Sequence, residues 1–591
     1  MMKKKLFLLV SLVVAMLTMN AQSLLYKIPM EDQVDLSTLI IEGEVLSKKS
    51  YFSDRDNHIY TVYEVQVSRT FKGNIDDKPL VNVISRGGSV GFKREVVTPN
   101  IGLNVGDLGV FMLEHEDKEL NDFESIYENY HVYSNLQGFY RYDKRKNIVT
   151  NPYYRFSGIQ TSFYEELEAI TNTNLEIIDI EFPFERQSKS FENNTIISFS
   201  PLEIRSGIGE AITILGSDFG NEIGTVVFKD ADRGGFVSRD AFDSDVISWS
   251  DSEIVINVPS FAGTGTIEIF TDDGNFFESE QVLTVLSAEL NAQFEGDFSD
   301  INFRAKLFNS DNQGGYTWTY NEDFVNNIDA VESFERAIDS WVCTTGISWL
   351  VNENTTNILG TFQDDFNVVS FINSNVDPAQ IDPGALAVTT TYYNGCADGN
   401  GVNTYVSEVD ITFNSNFDWF FGEDTSQLLE DQNDFQGTAT HELGHAHNLG
   451  HVIAPTNLMH FATAEGIESA TRDIDIDSEI GASLNFEFSK IIDNCVPRFV
   501  TDRACLDDSK IEIEAIASIE NPVINDLIVR IRDLESLSYS LHVYSLSGRE
   551  EFFGKIENKN ESVDISFLPT GVYIARIVID ADIYTQKLIK L

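Results

Sequence analysis

Apolar positions along most of this chain recur at every second residue, in short runs separated by Gly, Asn and Pro. That period of two is the signature of half-buried strands. Residues 39–45 and 60–67 alternate in this way between turns at Gly73-Asn74, Gly87-Gly88 and Gly102, which predicts a small antiparallel β-barrel or sandwich up to about residue 170. A polar tract at 185–194 reads as a linker. From 196 to about 286, alternating runs such as 212–215, 226–228 and 254–258 lie between Gly-rich turns, predicting a second β-sandwich. The period then changes. Phe324, Ile328, Val331, Phe334, Ala337 and Trp341 fall at helical spacing and predict one long amphipathic helix over 321–343. Residues 406–421 alternate and read as strands, residues 435–447 read as a helix, and 518–591 hold about seven short β-like runs.

With 591 residues the chain has room for about four domains. The predicted fold is multidomain: a signal peptide at 1–21, a β-rich accessory or prodomain with linker at 22–190, an immunoglobulin-like sandwich at 191–287, an α+β domain at 288–495, a linker at 496–517 and an all-β sandwich at 518–591. The leader has Lys3, Lys4 and Lys5 before an apolar run too short to span a bilayer comfortably, and Ala21 suits cleavage before Gln22. No lipobox-like Cys lies near that point, and no other stretch is apolar enough to span, so an integral membrane protein is not expected. A net charge of −53, spread over every region, argues against nucleic acid as a partner and for solubility. Cys343, Cys396, Cys495 and Cys505 are an even set in an exported chain and predict disulfides. Three connectivities exist; Cys343 with Cys396 and Cys495 with Cys505 is the expected one.

Chemistry concentrates in one window. Histidine is scarce, 9 residues in all, yet His441, His445, His447, His451 and His460 fall together. His441 and His445 lie one helical turn apart, so both rings reach one metal ion; His451 supplies a third ligand once the chain turns back, and Asn448 tolerates the positive φ that this turn requires. Glu442, beside a ligand, is placed to act as a general base. His447 lies about 200° from His445 around the helix and is expected to face solvent or a ligand's outer side. No CxxC pair offers a cysteine zinc site, and no EF-hand spacing is present, although abundant acidic loops leave calcium possible.

The sequence of residues 441–451, HELGHAHNLGH with Met459 eight residues on, resembles the metzincin zinc endopeptidases, whose signature is HExxHxxGxxH and a methionine-containing turn. Asn448 stands where the family has Gly. The resemblance implies zinc on His441, His445 and His451, Glu442 as the catalytic base, Met459 beneath the metal, and strands ahead of the helix that offer an edge to an extended peptide. It also places Arg472, Asp477, Gly481 and Ala482 at the start of a last catalytic-domain helix. His460 replaces an astacin-like tyrosine and either touches substrate or packs. Phe294-Glu-Gly-Asp297 matches the astacin FxGD motif, in which Asp297 would be a latency ligand. No cysteine precedes the catalytic region to act as a matrixin switch. Residues 196–286 resemble the IPT/TIG immunoglobulin-like family, which implies a spacer or binding module without chemistry. Residues 518–591 resemble the Bacteroidetes type IX secretion sorting domain, which implies the secretion machinery as a partner and a secreted or cell-surface product. The expected function is a secreted zinc endopeptidase acting on protein or peptide substrates. The competing expectation is a surface binding or adhesion protein whose β domains matter and whose zinc fold is incidental.

Overall fold

The computed structural model describes residues 27–491 and 517–590 apart from short internal stretches, the longer ones being 179–193, 308–314, 462–471 and 532–538. It is a β-rich, multidomain chain in two compact units, divided between residues 505 and 506. In the first unit β1 (Leu39–Ser53), β2 (His58–Lys72), β3 (Leu80–Arg86), the strand Asn129–Val132 and the strand Leu108–His115 pair in succession. Leu108–His115 pairs back onto β1, so the ring closes into a barrel, one of the two expected forms. One pair, β3 with Asn129–Val132, is parallel. Between β3 and Leu108–His115 a hairpin departs from the barrel, formed by β4 (Gly88–Val90) and β5 (Lys93–Thr98).

The predicted second sandwich is present as a five-stranded and a four-stranded sheet, with a further small sheet of Glu203–Ser206, Thr284–Glu289 and Leu449–Gly450. That last sheet joins the sandwich to the histidine-rich region, through Ala288 opposite Gly450 and Glu289 opposite Leu449. One hydrophobic core runs without a break from Phe199 and Ile212 of the sandwich to Trp341, Leu443 and Met459.

The third region is built on β6 (Tyr316–Tyr320), β7 (Trp349–Val351), β8 (Asn367–Ile372), β9 (Ala387–Asp398) and β10 (Gly401–Asn414), in the spatial order β7-β6-β8-β10-β9. Strands β6, β7, β8 and β10 are mutually parallel and β9 is antiparallel. Among these five strands β9 is the outermost, and its outer side is paired with β5 of the hairpin. The predicted run at 406–421 instead falls mostly in β10, which is covered on both sides by β8 and β9. Alternation shows that a segment is a strand but not which neighbour it meets.

The predicted long helix is interrupted. Glu322–Val325 forms one short turn, and α1 spans Ile328–Thr345. Asn327 caps α1, its side chain accepting from the Ala330 amide, so Phe324 and Ile328 do not share one helical stripe. Ile328 is exposed, whereas Ala330, Phe334, Ala337, Ile338 and Trp341 are buried. Gly346, at φ 76°, ends the helix.

The helix α2, Phe435–Ala446, is buried at every position. Its N-cap is Asp434, whose carboxylate accepts from the Gly437 amide and takes both arms of Arg472. A third helix, α3 (Ile476–Ser489), follows as expected, capped by Asp475. Cys343 and Cys396 are both disulfide-bonded, while Cys495 and Cys505 lie outside the described residues. Among the described residues of the second unit, seven strands form a three-stranded and a four-stranded sheet around Leu527, Val529, Leu541, Val543 and Leu588, in line with the predicted all-β domain.

Asn448 leaves α2 at φ 66°, the left-handed conformation that the spacing required. It does more than a glycine would. Its Oδ1 accepts from the Tyr393 hydroxyl at 2.8 Å, and its Nδ2 donates to the Leu290 carbonyl at 2.8 Å. Asn448→Gly relieves backbone strain but leaves the buried Tyr393 hydroxyl without its acceptor, so it is expected to lower stability by about 1–3 kcal/mol. Denaturant unfolding of the first unit checks this, and a gain in stability would show that backbone strain dominates.

Candidate metal centre

Packing on all sides of α2 decides where its side chains go. Trp341 of α1 donates from Nε1 to the Thr440 carbonyl at 2.8 Å. Gly444 admits Met459, since a Cβ there would lie 2.3 Å from the Met459 sulfur. The turn that carries Met459 is fixed in its own right: Asn457 Oδ1 accepts from the Met459 amide, and Asp475 accepts from the Leu458 amide and from Asn457 Nδ2. Met459 is 2% exposed and packs against Gly444 of α2.

The three predicted histidines converge. One nitrogen from each of His441, His445 and His451 lies within 4.8 Å of the others, and this is the only such group of three among the described residues. His441 Nε2 and His445 Nε2 are 3.2 Å apart. The opposite nitrogens are all engaged: His441 Nδ1 with the Leu458 carbonyl at 2.7 Å, His445 Nδ1 with the Leu449 carbonyl at 2.8 Å, and His451 Nδ1 with Asp232 Oδ1 at 3.0 Å. Carbonyl and carboxylate oxygens only accept, so each Nδ1 donates, which leaves the Nε2 of a neutral imidazole as the lone-pair nitrogen. Burial, followed by the neighbouring imidazoles, holds His441 well below the ordinary histidine range, and burial holds His445 at about 3. Both rings are neutral at pH 7. His451 Nε2 is buried without a hydrogen-bond partner.

Glu442 stands beside this point, fully buried, with Oε2 accepting from the Thr389 hydroxyl of β9 and Oε1 without a partner. Burial pushes its carboxyl up to about 8, against the opposing Thr389 hydrogen bond. Two buried acceptors, Glu442 Oε1 and His451 Nε2, thus lack partners in one small region. Such groups are costly unless something binds them.

Two neighbouring histidines are not part of the cluster. His447 faces away from it but does not face solvent; it is buried between Trp341 and Trp349, with ring centroids 4.7 Å from each, and meets the Thr345 hydroxyl at 3.2 Å. The reason is that the far face of α2 packs on α1. His460 packs, its Nδ1 accepting from the Ala454 amide. Asp297 lies outside the described residues, although Phe294 of the same motif is buried against Phe92 and Phe303.

Three participants have no sequence signal. Asp232 comes from a turn of the sandwich, 219 residues before His451, so that module supplies a contact at the site rather than acting as a bare spacer. Its neighbour Arg233 donates to the Gly102 carbonyl of the barrel region. Thr389 and Tyr393 come from β9, one reaching Glu442 and the other Asn448.

A search of curated proteins finds no match. Among solved structures, a γ-cyclodextrin glucanotransferase from alkalophilic Bacillus clarkii shares 13% identity, with 63% of this chain and 42% of that one covered, at a TM-score of 0.12. The Bacteroides ovatus mixed-linkage glucan utilisation locus protein SGBP-B, in complex with a mixed-linkage heptasaccharide, also shares 13% identity, covering 43% of this chain and 68% of that one at a TM-score of 0.12. Scores this low carry no argument about fold or activity. Residues 521–591 match the secretion system C-terminal sorting domain. That domain marks the protein for export by type IX secretion, to the cell surface or the medium.

Proposed function

We propose that the protein is a secreted zinc-dependent endopeptidase of the metzincin type, with an IPT/TIG-like sandwich at 191–287 docked on its catalytic region. The observation that carries this reading is the orientation of the three imidazoles, each with its Nδ1 proton taken and its Nε2 lone pair left for a shared cation. Two nitrogens bound at about 2.0–2.1 Å to a tetrahedral ion stand about 3.3 Å apart. The 3.2 Å between His441 and His445 suits that spacing. Three neutral nitrogens on protein, with a fourth position open, are the donor set of catalytic rather than structural zinc.

When bound, zinc acidifies water and polarises a peptide carbonyl. The chain's own residues do the rest. Glu442 accepts a proton on its free Oε1 and later returns one to the leaving amine. Burial pushes the Glu442 carboxyl up, and a dication held by His441, His445 and His451 would favour its ionised form. Thr389 holds the other carboxylate oxygen, so the base keeps one orientation. The antiparallel strand β9 is the element along which an extended peptide pairs, because its backbone passes directly by Glu442.

Two variants test this. Glu442→Gln is expected to keep one zinc per chain by elemental analysis while peptide hydrolysis falls by about 10²–10⁴. Wild-type protein without stoichiometric zinc, or a variant with full activity, would overturn the mechanism. Asp232→Ala leaves His451 free to rotate and is expected to weaken zinc binding about 10- to 100-fold in a competition titration against a chelator. Unchanged affinity would mean that Asp232 plays no part in holding the ligand.

A further inference from the structure

A strand that could receive a peptide carries a row of backbone donors and acceptors along its open side. In β9 that side is taken. Strand β5 of the N-terminal region pairs with it antiparallel over six positions, Lys93 opposite Asn394, Arg94 opposite Tyr393, Glu95 opposite Tyr392, Val96 opposite Thr391, Val97 opposite Thr390 and Thr98 opposite Thr389. The covered stretch is the one that serves the site. Thr389 at one end holds Glu442, and Tyr393 near the other holds Asn448.

Further contacts lock the hairpin in place. Arg86, at the end of β3, donates from Nε to Glu95 at 2.7 Å and reaches the hydroxyls of Thr361 and Thr390 with Nη2. Glu95 also accepts from the Ile59 amide and meets His58 at 3.1 Å. Burial alone would raise the Glu95 carboxyl, but Arg86, His58 and the Ile59 amide outweigh it and hold it below the usual range. At the turn between β4 and β5, Phe92 packs edge-on against Phe294, and Phe294 closes on Gly395, where a Cβ would lie only 2.8 Å from its ring. A cavity of about 470 Å³ reaches His451, and its walls include Ser89, Arg94, Val96 and Phe294. His441, His445, His451 and Glu442 are each at most 4% exposed.

We propose that β5 is a built-in occupant of the substrate edge, so that the N-terminal region holds the enzyme latent until it is displaced or removed. This rests on the endopeptidase reading. A peptide substrate needs the same backbone groups of β9 that β5 already uses, so the two compete for one ladder. The N-terminal barrel fixes the strand locally at a high effective concentration, which free substrate does not match. Latency also suits a chain that crosses the cell envelope before it acts.

The test uses the zinc-supplied full chain and its Val96→Pro/Val97→Pro variant. Strand alternation points one of these two amides at β9, and proline removes both. Three readouts are taken: hydrogen exchange of the amides of residues 389–394, binding of a synthetic peptide with the sequence of residues 92–99, and hydrolysis of a quenched-fluorescent peptide mixture. In the parent chain the amides are expected to be protected, the peptide not to bind and hydrolysis to be slow. In the variant, exchange should quicken by about 100-fold or more, the added peptide should bind and restore protection, and hydrolysis should rise about tenfold or more. Equal exchange and equal hydrolysis in both chains overturn the proposal. An edge that opens and is covered again by the peptide, with no hydrolysis in either chain, instead removes the endopeptidase reading and leaves the strand as an edge cap. If the double variant fails to fold, a protease recognition sequence is inserted in the full chain at 185–194 and cut after folding. The same three readouts then apply: faster exchange, peptide binding and a rise in hydrolysis after the cut support latency, and no change in exchange or hydrolysis overturns it.

Discussion

Three imidazole rings can share one dry point only if each passes its ring proton to an acceptor elsewhere. Here the acceptors are the Leu458 carbonyl, the Leu449 carbonyl and the Asp232 carboxylate. Each is fixed by a different part of the unit: the turn held by Asp475, the strand paired with the end of the sandwich, and the sandwich itself. The tight turn at Asn448, the glycine under Met459 and the Arg472–Asp434 clamp follow from the same need, since α2 and its return loop must keep these acceptors within hydrogen-bond reach.

Local geometry was readable where it depends on chain spacing alone. His441, His445 and the positive φ at Asn448 follow from helical period and turn chemistry, and the seven-stranded closing domain follows from alternation between turns. What escaped depended on partners distant in sequence. Helical phase correctly turned His447 away from the cluster, yet could not show that its far side is buried, because a helix enclosed on every face has no polar stripe to mark orientation. The interruption at Asn327 was hidden because apolar residues on either side kept a plausible period. The place of β9 between β10 and β5 and the contact from Asp232 belong to topology, which alternation does not encode.

The barrel, the sandwich and the histidine-bearing region are better described as one assembly than as beads joined by linkers. A single turn of the sandwich, Ala231–Arg233, touches the histidine cluster through Asp232 and the barrel region through Arg233. The sheet around β10 likewise draws its last two strands from a hairpin about 300 residues upstream. The sorting domain forms a separate unit with its own core, as an address read by export machinery needs no part in the chemistry.

If the histidine cluster takes the cation proposed above, the hydrogen bond between Asp232 and His451 makes its occupancy and sandwich docking thermodynamically reciprocal. Whatever free energy a cation gains from a correctly oriented His451 is returned, by linkage, as tighter attachment of the turn that orients it. A chelator applied at such a filled cluster would thereby be felt in a module that holds no ligand of its own, and the sandwich would report whether the cluster is filled.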